Sequence, residues 1–237
     1  MRARSRRPCE SLPADSPPGI KDTTISTITL FGASGSIGTA ISAELVKRGH
    51  TVISVSRKGT STVDGVTAVS GDGSNTRYVA EVAAGSDVIT SAIGPRFDGT
   101  DELDSLSTIA TALVEGARRA DIKRLVIVGG AGSLIEADGT RHVDTDHFAP
   151  EYRPLALAHA RALGDVYEKA DDLDWTYVSP PEFIFPGPAV GTFRTGGNHL
   201  ERNDKGEHRI SIDDYAIGFV DAIEDSTGIR QQITFAY

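Results

Sequence analysis

Gly32, Gly35 and Gly38 recur three residues apart, directly between a short apolar run and a helical pattern. That spacing suits the binding of a dinucleotide. Gly32 permits a tight reversal, Gly35 a close backbone approach to a pyrophosphate, and Gly38 close packing of the new helix on the sheet. The N–H groups and positive dipole end of that helix then face the anion. The binding set expected of the turn is Gly32, Ser34, Gly35, Ser36, Ile37 and Gly38. Chance is the competing reading, since the chain holds 25 glycines. The surroundings weigh against chance. Ile37, Ile41 and Leu45 share one helical face with Ala40 beside them, and residues 51–56 give a second apolar run after Gly49. Together these segments make a βαβ unit of the right length.

The second strand decides between cofactors. A site selective for NAD places Asp or Glu at its end, about 20 residues past the turn, to hold the ribose 2′-hydroxyl. Here the strand ends in Val55-Ser56-Arg57-Lys58, and the next carboxylate is Asp64. Arg57 and Lys58 offer two cations where a 2′-phosphate would sit, and Arg can grip a phosphate bidentately. Two solvated basic residues in a turn are the alternative. The reading is NADP(H) over NAD(H). Asp72 ends the third strand and is expected beside the adenine, or as a turn cap. Ala92, Ile93 and Gly94 end the fourth strand, at the carboxyl edge where the nicotinamide half should lie, with Gly129 closing the fifth.

Alternating strands and helices must position these residues. Strands are expected at 28–31, 51–56, 66–70, 86–93, 124–128, 174–179 and 231–235. Helices are expected after the glycine turn and at 76–84, 102–120, 155–170 and 213–224. The long helix carries a buried stripe of Leu103, Leu106, Ile109, Ala110, Leu113 and Ala117. Continuous apolar strands imply a parallel sheet covered on both faces, hence a doubly wound α/β fold. From Pro180 the rhythm changes, and residues 186–206 read as loops or a hairpin.

Composition narrows the functions further. At 237 residues and 39% hydrophobic content, the chain suits one domain over 25–237, with 181–212 forming a small C-terminal substrate lobe. A net charge of −9 argues against a nucleic-acid-coating protein. Residues 1–24 are rich in Arg and Pro and are expected to be a disordered tail. Arg6-Arg7 there lacks the apolar stretch an export signal needs. One cysteine, Cys9, excludes an internal disulfide and fits a reducing compartment. No run approaches the ~18 apolar residues of a membrane span. A cytoplasmic protein, monomeric or homodimeric, is expected.

Beyond these patterns, the turn Gly32-Ala-Ser-Gly-Ser-Ile-Gly38 resembles that of atypical short-chain dehydrogenases/reductases of the NAD(P)H-binding, NmrA-like type. Three later segments are similar to the NADH-flavin reductase group, related more distantly to biliverdin reductase B. They are Val128-Gly-Gly-Ala-Gly-Ser-Leu134, Leu173-Asp-Trp-Thr-Tyr-Val-Ser-Pro-Pro181 and Ile210-Ser-Ile-Asp-Asp-Tyr-Ala216. The resemblance covers about residues 25–237. It implies a Rossmann core, bound NADP(H) and a cleft over the nicotinamide, and leaves the substrate open.

The Tyr-x-x-x-Lys pair of most alcohol and ketone dehydrogenases is absent. Four positions after Tyr78, Tyr152, Tyr167, Tyr177 and Tyr215 stand Val82, Ala156, Asp171, Pro181 and Phe219, and Tyr237 is the last residue. That counts against ordinary carbonyl reduction, which needs a tuned proton donor. Flavin reduction needs less, because stacking two rings supplies most of the catalysis and water can supply the proton. An NADPH-dependent reductase of a flavin or similar flat acceptor is one reading, with flavin as substrate rather than tightly bound cofactor. A non-catalytic NADP(H)-binding redox sensor is the other.

Further site candidates follow from position. Ser133 stands where short-chain dehydrogenases keep their active-site serine, or is an exposed loop residue. Tyr152 precedes the helix that would carry the missing tyrosine and is a substrate contact or a packed aromatic. His159 is a proton donor or, more simply, a helix or core residue. Phe183 and Phe185 are expected to wall the substrate cleft. His142 and His147 share a polar stretch with Asp144 and Asp146, which reads as a solvated loop, and no metal is expected.

Overall fold

The computed structural model describes residues 24–94 and 105–237. The expected tail up to residue 23, Pro95 and the start of the long helix with Leu103 lie outside the described residues.

Ten strands and five helices follow one another along the described chain. The strands are β1 (Thr27–Phe31), β2 (Thr51–Ser56), β3 (Thr67–Ser70), β4 (Val88–Ser91), β5 (Arg124–Val128), β6 (Asp174–Ser179), β7 (Phe183–Phe185), β8 (Arg194–Gly196), β9 (Arg209–Ser211) and β10 (Gln231–Ala236). The helices are α1 (Ser36–Lys47), α2 (Thr76–Val82), α3 (Ser105–Arg119), α4 (Arg153–Asp165) and α5 (Ile212–Glu224). Eight strands form one sheet in the order β3-β2-β1-β4-β5-β6-β10-β8. All neighbours are parallel except β8, which runs antiparallel to β10. The strand order reverses between β1 and β4, and such a switch opens a crevice at the carboxyl ends of the strands.

Helices cover both faces, as the apolar strands require. One core sets Val79 of α2, Leu106 and Leu113 of α3 and Leu163 of α4 against Phe31, Ile89 and Leu125. The other sets Ile41 and Leu45 of α1 and Phe219 and Val220 of α5 against Ile28, Leu30 and Val178. Alternate residues of one strand thus feed opposite cores, as the two-residue period of a strand dictates.

Two elements differ from the sequence expectation, each for a reason of packing. The helix expected over 155–170 ends at Asp165, where Val166 leaves helical geometry at φ −121° and ψ −63°, and a 3-10 turn follows (Tyr167–Lys169). The break turns Tyr167 into the core, 2% exposed, with its ring 5.7 Å from that of Tyr177. Within 186–206, Arg194–Gly196 is an edge strand of the main sheet, where Thr195 pairs with Phe235. β7 pairs in parallel with β9, so the segment after β6 makes its own two-stranded ribbon.

Candidate functional site

The glycine turn links β1 to α1 at the switch point. Gly32 sits at φ +77°, and a Cβ there would lie 2.6 Å from the backbone of Ala92 and Ile93, so the turn presses against the end of β4. A Cβ on Gly38 would overlap the carbonyl oxygen of Gly32, which is how α1 comes to pack so closely on the turn. Gly35 is different. Its φ and ψ of −77° and 165° suit any residue, and a Cβ would meet only Gly32 O, at 3.5 Å. The space beyond Gly35 is therefore open, a cradle that a side chain would fill. No side chain caps α1, and its first turn holds no acidic residue. An uncapped N-terminus leaves N–H donors and the dipole for an anion. These residues fit a pyrophosphate.

The ends of β2 and β3, where the adenosine side is expected, lie to one side of β1 in the sheet. Arg57 and Lys58 are exposed in a turn closed by a hydrogen bond from Gly59 N to Ser56 O. Ser70 Oγ donates to Arg57 O at 2.9 Å, which fixes the backbone that carries both cations. Asp72 is exposed, and its Oδ1 accepts from Ser74 N and Ser74 Oγ, so its carboxylate caps a local turn. Ala92 N donates to Phe31 O, carrying Ala92, Ile93 and Gly94 past the glycine turn.

On the other side of the crevice, Gly129 is buried and a Cβ there would run into the Tyr177 ring. Ser133 is 9% exposed, not an exposed loop serine. Its Oγ donates to Gly130 O and accepts from Gln232 Nε2 at 2.8 Å, and the same amide reaches Ser179 Oγ at 2.8 Å. Ser179 Oγ also donates to Gly130 O. With its proton held by a backbone carbonyl, Ser133 positions the strand ends. His159 keeps some accessible surface, but burial pushes its pKa down to about 4, so the imidazole is neutral at pH 7. Tyr177 Oη donates to His159 O at 3.1 Å and lies 3.1 Å from His159 Nδ1, which must then carry the ring proton. A small cavity beside this pair is lined by Ser91, Ile93, Ile127, Val128, His159 and Tyr177, beneath the ends of β4 and β5.

The outer residues are more exposed. Tyr152 ends a 3-10 turn before α4 and is 50% exposed. Phe183 is 58% exposed and stacks on Phe185 at 5.7 Å and 19°, while the Arg209 guanidinium lies 4.6 Å from the Phe185 ring centre.

The stretch read as a solvated loop departs from that expectation at His142, while the His147 side chain stays 60% exposed. His142 is 5% exposed, and its partners are Glu136 and Glu182, not Asp144 or Asp146. Arg202 pairs with both of these glutamates and holds the Glu136 carboxyl down at about 2. His208, 3% exposed, is pushed down to about 4 by burial and by Arg194 and Arg202.

The sequence profile of the NAD(P)H-binding family matches residues 32–226, from the first glycine of the turn to just past α5. The chain belongs to the NAD(P)H-binding family. Relatives agree along nearly the whole chain. The uncharacterized protein YwnB of Bacillus subtilis is 34% identical over 210 residues, which is 87% of this chain and 96% of that protein. A Burkholderia pseudomallei structure, provisionally named an exported protein, is 44% identical with a TM-score of 0.82, covering 90% of this chain and 100% of the other. A Streptococcus pneumoniae structure, provisionally named an NADH-flavin reductase, is 31% identical with a TM-score of 0.76, covering 89% and 99%.

Membership of the NAD(P)H-binding family rests on the match over residues 32–226. Gln232, Glu182 and Arg202 escaped the sequence reading because their partners are far along the chain, and Glu136 because it stands six residues before His142 in a stretch that reads as polar. Gln232 is 99 residues from Ser133, and Arg202 is 66 from Glu136. Gln232 shares the last strand with Gln231 and Thr234, so no local signal set it apart. Among the described residues, no helix is long and apolar enough to cross a membrane.

Proposed function

We propose that the protein is an NADPH-dependent reductase that passes hydride to a flavin or a similar flat, conjugated acceptor. The observation that carries this reading is the open space at Gly35 beneath an uncapped helix, with Arg57 and Lys58 at the end of the neighbouring strand. Family membership and the name of the Streptococcus relative support it.

Bound NADPH would supply a hydride, and water would supply the accompanying proton. The chain's own residues bind and orient. The first turn of α1 holds the pyrophosphate through backbone N–H groups, and Gly35 gives it room. Arg57 and Lys58 hold the 2′-phosphate and set the preference for NADPH. Ala92, Ile93, Gly94 and Gly129 offer backbone close to the nicotinamide. Tyr152, Phe183 and Phe185 face the acceptor as flat surfaces, with 181–212 as the acceptor-side lobe of one domain spanning 25–237. Neutral, buried His159 and the engaged hydroxyl of Ser133 suit a site that positions rings and moves no proton itself. The cytoplasm, with its NADPH pool, is the compartment this chemistry fits.

The test is direct. Purified protein mixed with NADPH and FMN or riboflavin is expected to oxidise NADPH and bleach the flavin catalytically. No turnover across several flavins and quinones would refute the reading and favour a non-catalytic sensor of the NADPH/NADP⁺ balance.

A further inference from the structure

We infer that Glu136, His142, His147 and Glu182 form a binding site for a divalent transition metal ion of the zinc type, independent of the proposed reductase chemistry. Glu136 follows the 3-10 turn after β5, His142 opens the next 3-10 turn, and Glu182 precedes β7. Each residue offers one ligand atom, and these four atoms lie within 4.8 Å of one another. Backbone bonds hold the segment in place: Glu136 N donates to Thr140 O and His142 N to Leu134 O, both at 2.8 Å.

His142 carries the argument. Its Nδ1 lies 2.7 Å from Glu136 Oε1, and a carboxylate only accepts, so Nδ1 bears the proton. Nε2 is then the ring nitrogen left to meet a metal. It faces Glu182 Oε1 at 3.6 Å, beyond hydrogen-bond distance, inside a residue only 5% exposed. His142 Nε2 and Glu182 Oε1 are thus the pair of atoms a metal ion would join. A carboxylate that fixes one imidazole nitrogen while the other meets a metal is the arrangement that orients metal-binding histidines.

The donor set names the metal class. Two imidazoles with carboxylates suit zinc, cobalt or nickel, whereas magnesium and calcium take oxygen ligands. His142 Nε2, His147 and Glu182 would be the ligands; Glu136 orients His142 and also lies 3.2 Å from His147 Nε2, a contact the metal must compete with. A tetrahedral site with bonds of ~2.0–2.1 Å puts ligand atoms roughly 3.4 Å apart. The cluster must therefore contract modestly on binding.

Arg202 is the competitor. Its guanidinium sits 2.7 Å from Glu136 Oε2 and 2.7 Å from Glu182 Oε1, on a side chain 31% exposed. One positive charge faces two carboxylates, so a divalent ion matches the cluster better than Arg202 does. Metal entry releases Arg202 from Glu182 and pins the segment after β5 to the start of β7.

Titration calorimetry of the full chain with ZnCl2, CoCl2 and MgCl2 tests this. One zinc and one cobalt per chain are expected to bind with micromolar or tighter affinity, and magnesium is not. His142→Ala and Glu182→Gln are each expected to weaken zinc at least tenfold, while Arg202→Gln strengthens it several-fold by removing the competing cation. Thermal melts without metal establish that each variant is folded, and Glu182→Gln, near the surface, serves where His142→Ala fails to fold. The inference is overturned by the absence of a one-to-one site, by zinc affinity unchanged in a folded His142→Ala or Glu182→Gln protein, or by zinc binding that Arg202→Gln fails to strengthen.

Discussion

Replacing Gly35 by alanine separates binding from folding. The added Cβ meets only Gly32 O, at 3.5 Å, and the backbone at φ −77° and ψ 165° accepts alanine without strain. Loss of unfolded-state freedom favours the variant by ~0.4–1 kcal/mol, and alanine's poorer performance at a helix N-cap opposes it by a similar amount. Stability should therefore stay within about 1 kcal/mol of the parent, a shift of no more than ~2–4 °C in Tm for a chain this size. The methyl group nevertheless stands where the pyrophosphate must approach. Overpacking by one carbon costs about 1–3 kcal/mol, or roughly 5- to 150-fold in Kd for NADPH. A thermal melt without ligand, followed by calorimetric titration with NADPH, reads both quantities. A folded Gly35→Ala protein that binds NADPH as tightly as the parent would refute the assignment of the turn.

Other consequences can be checked with similar means. Gly38→Ala should behave in the opposite way, because its Cβ overlaps Gly32 O; a loss of roughly 1–3 kcal/mol or more in urea unfolding is expected. Arg57→Ala should weaken NADPH by ~10-fold or more while leaving NADH nearly unchanged, as loss of a charge-assisted phosphate contact is worth about 1.5–3 kcal/mol; equal losses for both cofactors would contradict the 2′-phosphate assignment. Stability should fall on acidification. The His159 pKa of about 4 lies below the ordinary 6.5, so the unfolded chain binds the proton more readily between those values. The contribution is complete above pH 6.5 and is lost as pH falls toward 4, by about 3 kcal/mol for His159, with His208 acting in the same direction. Urea midpoints from pH 7.5 to 4 measure this, and His159→Gln should flatten the profile; a wild-type profile already flat in that range would contradict the burial argument.

How much of this was legible in the sequence depends on the range of the interactions. The glycine turn, the strands and the helix stripe of Leu106, Ala110, Leu113 and Ala117 are written in local spacing, and the structure carries them at those positions. The edge strand around Thr195 was not legible, because its pairing with Phe235 depends on chain 40 residues away. The break at Val166 was hidden as well: helical periodicity continues through it, and burial of Tyr167 against Tyr177 overrides local propensity. The loop holding His142 and His147 reads as polar, since Asp144 and Asp146 are its sequence neighbours. Glu136 stands six residues before His142, while Glu182 and Arg202 come from two other segments. Local structure built on one stretch of chain could be read; contacts assembled by the fold could not.

The most direct test of the account is calorimetric titration of the wild-type protein with NADPH and, separately, with NADH. One NADPH per chain should bind with micromolar or tighter affinity, and NADH about tenfold or more weakly, as expected if Arg57 and Lys58 hold the 2′-phosphate. Equal affinity for the two, or no binding of either, would contradict it.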